Sequence, residues 1–391
     1  MEKRYLVETI LNDLSEKMVF VGGPRQVGKT TMAEYISENY FSNPQYLNWD
    51  DRQDRKDIME CRFKADADLL VFDEIHKYKN WKNHIKGIYD KNKHRLKIIV
   101  TGSARLDIYR KGGDSLMGRY HYYRLHPFSA AEYTGRENAI EPLKELKFPQ
   151  TTGKEKDAHE LLKIFGGFPE PFLNRKQKTL RRWHNQRAER LVKEDIRDIQ
   201  NIREISSFQL MVDILPERAG SLLSVNSLSE DLQVSHKTAS HWLETLERFY
   251  YSFRIYPFHH SKIRSLRKEP KLYLWDWSEV KNPAAASENI AASHLLKLCH
   301  FLKDSQGRKT ELNYIRDLEG RETDFIVSEN GKPWFAVEVK TSPGKPPKHL
   351  LYFSGKMKIP FSFQVVEEKG IDIFDSRVRT ISMDKFLSGL I

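Results

Sequence analysis

The chain has 391 residues, too many for one ordinary hydrophobic core, so two or three domains are expected. Its 65 Lys and Arg against 54 Asp and Glu leave a formal charge of +11, which favours an anionic partner such as nucleic acid. The 2 cysteines, Cys61 and Cys299, exclude a disulfide framework and a four-cysteine zinc site. With no apolar signal region and no run near the roughly 18 apolar residues of a membrane span, a cytoplasmic protein without a membrane partner is expected.

In chain order, residues 2–17 read as an amphipathic helix with Leu6, Ile10, Leu11 and Leu14 on one side. Met18-Val19-Phe20-Val21 is a short apolar run with β-branched members, the pattern of a buried strand. Next comes Gly23-Pro24-Arg25-Gln26-Val27-Gly28-Lys29-Thr30-Thr31, which contains the phosphate-binding spacing G-x-x-x-x-G-K-T. Helical spacing resumes at Met32, so the glycines lie in a strand-to-helix turn where backbone N–H groups can surround phosphate oxygens. Lys29 is expected to reach the β- and γ-phosphates of ATP, and the Thr30 hydroxyl to hold Mg²⁺.

A second strand is expected over 45–49, followed by Asp50-Asp51, either a strand-end turn or part of the metal's outer shell. Leu69-Leu70-Val71-Phe72 ends in Asp73-Glu74, a buried parallel strand whose tip reaches the nucleotide. Asp73 is expected to order Mg²⁺ through water, and Glu74 to orient or deprotonate the attacking water. The strand over 97–101 ends in small hydroxyl residues, so Thr101 or Ser103 suits a γ-phosphate sensor as well as a plain turn. Arg119, before a strand over 120–125, reads either as a finger for a neighbouring subunit's nucleotide in a homo-oligomer or as a local ion-pair partner.

Gly23 to Thr30, Asp73-Glu74-Ile75-His76-Lys77 with Trp81, Thr101-Gly102-Ser103, Gly118-Arg119 and Pro127-Phe128-Ser129 together resemble one AAA+ family. It is the prokaryotic P-loop ATPase family that ends in domain of unknown function 4143. The resemblance implies a parallel α/β sheet of AAA+ type with a helical lid. Gly166-Gly167-Phe168-Pro169 is similar to the lid motif of related ATPases, which brings backbone near the nucleotide, although a plain loop also accounts for it. The resemblance also covers 193–199, with no role derivable there.

Residues 175–199 read as a long helix with a basic face. Helical spacing over 208–215, a short helix near Glu230 capped by Ser227, and a helix from Ser235 to Leu246 give a helix-turn-helix order, with a strand or wing over 249–256. His236, Lys237, Thr238, Ser240 and His241 would face a DNA major groove, or the module would contact a protein partner; Trp242, Leu243 and Leu246 pack inward.

Lys262, Arg264, Arg267, Lys268 and Lys271 read as a basic linker before a strand over 272–275. A helix over 287–298, capped by Ser287, carries Glu288. Strands over 312–316, 323–327 and 334–340 follow, the last two joined at Asn330-Gly331, a hairpin signal. Alternation puts Glu338 and Lys340 on one face. Glu288, Asp324 and Glu338-x-Lys340 resemble the PD-(D/E)XK phosphodiesterase core, with Thr323 where its proline would stand. That resemblance implies Mg²⁺ or Mn²⁺ held by Asp324 and Glu338 with help from Glu288, and Lys340 acting on the metal-activated water. Gln364 on a later strand is expected near the same site.

The expected architecture is an AAA+ core over 1–135, a lid and connecting helix over 136–203, a winged helix over 204–261 and a nuclease-like α/β domain over 262–391. The expected function is ATP hydrolysis coupled to action on double-stranded DNA, with or without metal-dependent cleavage. The alternative is a non-cleaving ATP switch that binds DNA or a protein.

Overall fold

The apolar runs around Phe20, Leu70 and Ile99 have no polar face, which suits strands covered on both sides by helices. In the computed structural model, which describes residues 3–102, 116–148, 150–191, 204–259 and 268–391, they form β1 (Met18–Gly22), β3 (Leu69–Asp73) and β4 (Lys97–Thr101). With β2 (Pro44–Asn48) and β5 (Tyr120–Arg124) they make a five-stranded parallel sheet in the order β2-β3-β4-β1-β5. Because β4 separates β1 from β3, the register aligns Val21 with Thr101 and Thr101 with Asp73 along one edge of the sheet.

This sheet belongs to the first of two compact units, Met1–His126. Its core gathers Phe20, Phe72, Trp81, Ile85 and Ile88, with Phe20 stacked on Tyr120 at 4.3 Å between ring centroids. The N-terminal helix is shorter than its apolar spacing predicts, Val7–Asp13. Beyond it, the Ser15 and Lys17 amides donate to the Asn12 and Asp13 carbonyls as the chain turns into β1. Asp51 caps the Arg52–Met59 helix by accepting from the Gln53 and Asp54 amides, which accounts for the acid as a turn residue.

The second unit is Pro127–Ile391. The Gly153–Phe165 helix starts in a capping box made by Thr152 and Glu155. It ends at Gly166, whose φ of 71° and ψ of −172° suit only glycine. A Cβ at Gly166 would stand 2.6 Å from Asp276 Oδ1, and one at Gly167 would stand 2.7 Å from the Phe128 carbonyl oxygen. Close packing inside this unit therefore accounts for both glycines of the Gly-Gly-Phe-Pro stretch. The basic helix is Gln177–Arg190; Lys193 to Ile199 of its expected span lie outside the described residues. Its Trp183 donates to buried Asp276 at 2.7 Å.

Helices Ile205–Ile214, Val225–Asp231 and His236–Arg248 follow in the expected order. Ser224, not Ser227, caps the second, accepting from the Ser227 amide. Trp242, Leu243 and Leu246 are buried while His236, Lys237 and His241 are exposed. After the third helix, β6 (Ser252–Ile255) pairs antiparallel with β7 (Lys271–Leu274). Lys271 is therefore a strand residue and not part of a linker; Lys262, Arg264 and Arg267 lie outside the described residues.

The helix carrying Glu288 runs Pro283–Gln306, a turn earlier at its start than expected. Asn282 caps it, and Ser287 instead donates back to the Pro283 carbonyl at 3.0 Å. Six strands form a mixed sheet in the order β12-β13-β11-β10-β9-β8: β8 (Thr310–Arg316), β9 (Glu322–Glu329), β10 (Lys332–Lys340), β11 (Phe361–Val366), β12 (Asp372–Asp375) and β13 (Val378–Ser382). Asn330 and Gly331 turn β9 into β10 with φ of 50° and 76°, both positive as a tight hairpin of this kind requires.

A buried ion pair joins two helical parts of this unit. Lys297 is 2% exposed and donates to Glu132, the N3 residue of the Ala130–Thr134 helix, and to Ser129, its cap, at 2.8 Å. Beside it His294 accepts from the Ala130 amide at Nε2 and so donates from Nδ1 to the Ile290 carbonyl. Burial holds this imidazole's pKa down, to about 3. Removing one member of such a pair strands a charge in low dielectric. Lys297→Met is expected to lower the unfolding free energy by about 3–5 kcal/mol. Adding Glu132→Gln should restore part of it, as read in a double-mutant cycle of denaturant midpoints.

Candidate functional site

The turn after β1 has the backbone that the glycine spacing demands. Gly23 has φ of 144°, and a Cβ there would stand 2.5 Å from the Leu125 carbonyl oxygen. Gln26 and Gly28 have φ of 59° and 96°, and Gly28 is the N-cap of the Lys29–Tyr40 helix. This alternation aims successive amides inward at the positive end of a helix dipole. Arg4, buried, pins the loop from outside by donating to the Val27 carbonyl at 2.7 Å. Lys29 Nζ lies inside the loop, 2.6 Å from the Pro24 and 3.1 Å from the Gly23 carbonyl oxygens. Pro24 and Val27 are buried, Arg25 is half-buried, and Gln26 and Thr31 are exposed.

Asp73, 5% exposed at the tip of β3, collects three hydroxyls. Thr30 Oγ1 donates to its Oδ2 at 2.9 Å, Tyr46 Oη to the same oxygen at 2.5 Å, and Thr101 Oγ1 to Oδ1 at 2.5 Å. Burial, and then the hydrogen bond to Asp73, push the Tyr46 hydroxyl's pKa well up, so it stays a donor. The Thr30 hydroxyl and Asp73 carboxylate form a hard oxygen pair within hydrogen-bond reach, and these donors fit Mg²⁺. Glu74 adopts the left-handed region, φ 56° and ψ 17°, while its amide donates to the Thr101 carbonyl at 3.1 Å. Its carboxylate stays partly exposed, 3.5 Å from Lys77 Nζ and 3.6 Å from His76 Nε2.

The structure thus brings Lys29, Thr30, Asp73 and Thr101 together with Glu74 next to them. Ser103 lies outside the described residues. Arg119 is not in this group. Its carbonyl accepts from the Met18 amide at the start of β1, so about five strand residues, roughly 16 Å, separate it from the loop beyond Gly22. Its guanidinium makes a two-pronged pair with Asp90, at 2.8 and 3.1 Å. Tyr46 and Arg4 were not legible as site residues. A tyrosine on a strand and an arginine in a helix lead-in carry no local signal of the carboxylate or carbonyl they meet.

In the second unit Glu288, Asp324, Glu338 and Lys340 do converge, with Gln364 aligned to Glu338 across β10 and β11. A metal expected of Glu288, Asp324 and Glu338 would meet carboxylates most of whose oxygens already have partners. Lys271 Nζ, from β7, stands 2.7 Å from Glu322, 3.1 Å from Glu288 and 3.3 Å from Asp324. Tyr273 donates to Glu288 at 2.6 Å, the Val339 amide to Asp324 at 2.9 Å and Arg316 to Glu322 at 2.7 Å. Glu338 accepts from Lys340 at 2.7 Å and from the Asp324 amide at 3.3 Å, with His349 Nε2 3.0 Å away.

Burial would lower the Lys271 pKa, yet the Asp324 and Glu288 charges outweigh it and raise it. Asp324 is raised by burial and by Glu288 and Glu338. Burial opposes ionisation of Glu338 too, but His349 and Lys340 prevail and lower its pKa. Among the described residues no group of three His, Cys, Asp or Glu side chains is arranged to hold a metal ion. These carboxylates do not fit a divalent ion as they stand. No described helix is long and apolar enough to cross a membrane.

Residues 15–134 match the family model of an AAA domain, 156–280 that of domain of unknown function 8612, and 284–385 that of domain of unknown function 4143. An uncharacterized protein of Mycobacterium tuberculosis is 20% identical over 352 residues, covering 83% of this chain and 71% of its own. One from Methanocaldococcus jannaschii is 23% identical over 300 residues, covering 68% and 62%. Among solved structures, the Aeropyrum pernix ORC1 protein in complex with DNA is similar over 73% of this chain and 90% of its own, at 14% identity and a TM-score of 0.32. The Thermotoga maritima RuvB Holliday junction branch migration motor is similar over 64% and 87%, at 15% and 0.29. Scores this low assign neither ligand nor partner. The chain thus carries an AAA domain followed by a domain of unknown function 4143, the order that its sequence resembles.

Proposed function

We propose that this protein binds and hydrolyses ATP with Mg²⁺ at the β1 turn and uses the nucleotide state to control contact with double-stranded DNA. The observation that carries the ATP reading is the meeting of Thr30, Tyr46 and Thr101 on Asp73 beside a loop that encloses Lys29. The inward amides and Lys29 bind the phosphate oxygens. Thr30 and Asp73 would hold the cation. When bound, Mg²⁺ draws charge off the phosphates and orients the γ-phosphoryl group. Glu74, at the edge of the pocket, orients the attacking water and takes its proton as the bond from the γ-phosphorus to the bridging oxygen breaks. Thr101 or Ser103 serves as a sensor of the γ-phosphate. Arg119 acts on a second copy's nucleotide once Asp90 releases it, which makes the hydrolysing form a homo-oligomer.

The DNA reading draws on charge. Lys178, Arg181, Arg182 and Arg190 are exposed on the Gln177–Arg190 helix, and Lys237 with His236 and His241 on the His236–Arg248 helix. Cations so arrayed suit a phosphate backbone. The His236–Arg248 helix is the recognition helix of a winged module. The C-terminal sheet is a non-cleaving platform, a reading favoured by the engagement of its carboxylates with Lys271, Arg316 and Lys340. A protein partner on the same platform is the form the proposal takes if DNA has no effect.

ATP hydrolysis followed with and without double-stranded DNA, in Mg²⁺ and in Mn²⁺, tests this. Stimulated hydrolysis with the DNA left intact is expected. Glu74→Gln should bind ATP but hydrolyse it about 10²–10⁴-fold more slowly, the usual weight of a positioned base. Hydrolysis indifferent to DNA would remove the DNA coupling, and cut DNA would overturn the platform reading. Tyr46→Phe deletes one hydrogen bond to a carboxylate, so Mg²⁺-ATP affinity should fall about tenfold by calorimetry, with little change in metal-free ATP binding.

A further inference from the structure

Four carboxylates, Glu288, Glu322, Asp324 and Glu338, crowd one corner of the second unit. Such a concentration of negative charge is costly unless cations or protons meet it. A divalent metal entering here would have to compete with the cations and N–H donors that these carboxylates already meet. Here both oxygens of Asp324 accept, from Lys271 and the Val339 amide; both of Glu322 are paired, with Lys271 and Arg316; both of Glu338 accept, from Lys340 and the Asp324 amide.

We infer that the Lys271 ammonium is the resident cation of this cluster, standing among Glu288, Glu322 and Asp324 where a divalent metal would otherwise bind. Its three neighbours, at 2.7, 3.1 and 3.3 Å, match the three N–H donors of an ammonium. They are too far from its nitrogen for a cation of the Mg²⁺ or Mn²⁺ kind at that point, which draws oxygens to about 2.0–2.2 Å. Lys271 is 3% exposed, so its side chain lies almost wholly out of water. A divalent ion entering the cluster would also face Lys271 at close range, and the lysine's four-carbon stem rises from a strand, β7, fixed on both sides. β7 pairs with β6 along Ser252–Ile255, and Lys271 also bridges to Leu222.

The consequence is mechanical as well as chemical. β6 follows directly on the His236–Arg248 helix, so the ammonium ties the hairpin that adjoins that helix to the six-stranded sheet. The cluster is a junction between segments distant in sequence, held without metal. This refines the platform reading of the C-terminal sheet and does not involve nucleotide, so it stands or falls apart from ATP hydrolysis.

Mn²⁺ binding to the intact, nucleotide-free protein, counted by electron paramagnetic resonance, tests it. Wild type and Asp324→Asn should bind the same number of ions, because the cluster takes none. Lys271→Met should gain an additional Mn²⁺ per chain, and Lys271→Met with Asp324→Asn should lose it again. A wild-type ion that Asp324→Asn removes would overturn the inference, as would a folded Lys271→Met protein that gains none. Should Lys271→Met not fold, the comparison of wild type with Asp324→Asn decides. Any ion at Thr30 and Asp73 contributes equally to every count and cancels.

Discussion

A carboxylate taken out of water must be met by donors or cations, and the placement of those partners governs this protein. Three acid centres among the described residues are met in two ways, by hydroxyls or by an ammonium. At the tip of β3, Asp73 is met by the hydroxyls of Thr30, Tyr46 and Thr101, neutral donors that leave its negative charge in place. At the start of the Ala130–Thr134 helix, Glu132 is met by Lys297. In the C-terminal cluster, Glu288, Glu322 and Asp324 are met by Lys271.

The difference between hydroxyls and ammonium groups separates function from architecture. Hydroxyl oxygens can turn from donating to a carboxylate to ligating a cation, so the Asp73 centre can take up Mg²⁺ with its phosphates. An ammonium cannot share its place with a dication. Lys297 and Lys271 therefore consume the charge of their acids in holding segments together: the Pro283–Gln306 helix to the Ala130–Thr134 helix, and β7 to β9. Glu288, Asp324, Glu338 and Lys340 converge in the fold, and on the inference drawn above the charge of the acids is met inside it.

The phosphate loop, the β3 tip and the strands around them were legible because each signal is local. Glycine spacing, an apolar run and the acid that ends it sit within a few residues, and parallel strands bury both faces. The Asn330-Gly331 hairpin was legible for the same reason, its two positive φ angles being written in two residues. What escaped was long-range. Lys271 read as one charge in a basic stretch because its strand partner is β6 and its three acids lie 17 to 53 residues further on. Arg119 left its finger role open, and its partner in this chain's own conformation is Asp90 on the Trp81–Asn92 helix. Ser227 and Ser287 looked like caps by composition, but Ser224 and Asn282 held the backbone geometry that capping requires.

The proposed chemistry rests on the loop around Lys29 being a Mg²⁺-assisted ATP site, and the decisive measurement is equilibrium binding of ATP to the intact chain. Saturable binding at one site per chain, tightened by Mg²⁺ and abolished in a folded Lys29→Ala variant, is the expected result. Undiminished binding by that variant, or affinity indifferent to Mg²⁺, would refute the roles assigned to Lys29, Thr30 and Asp73.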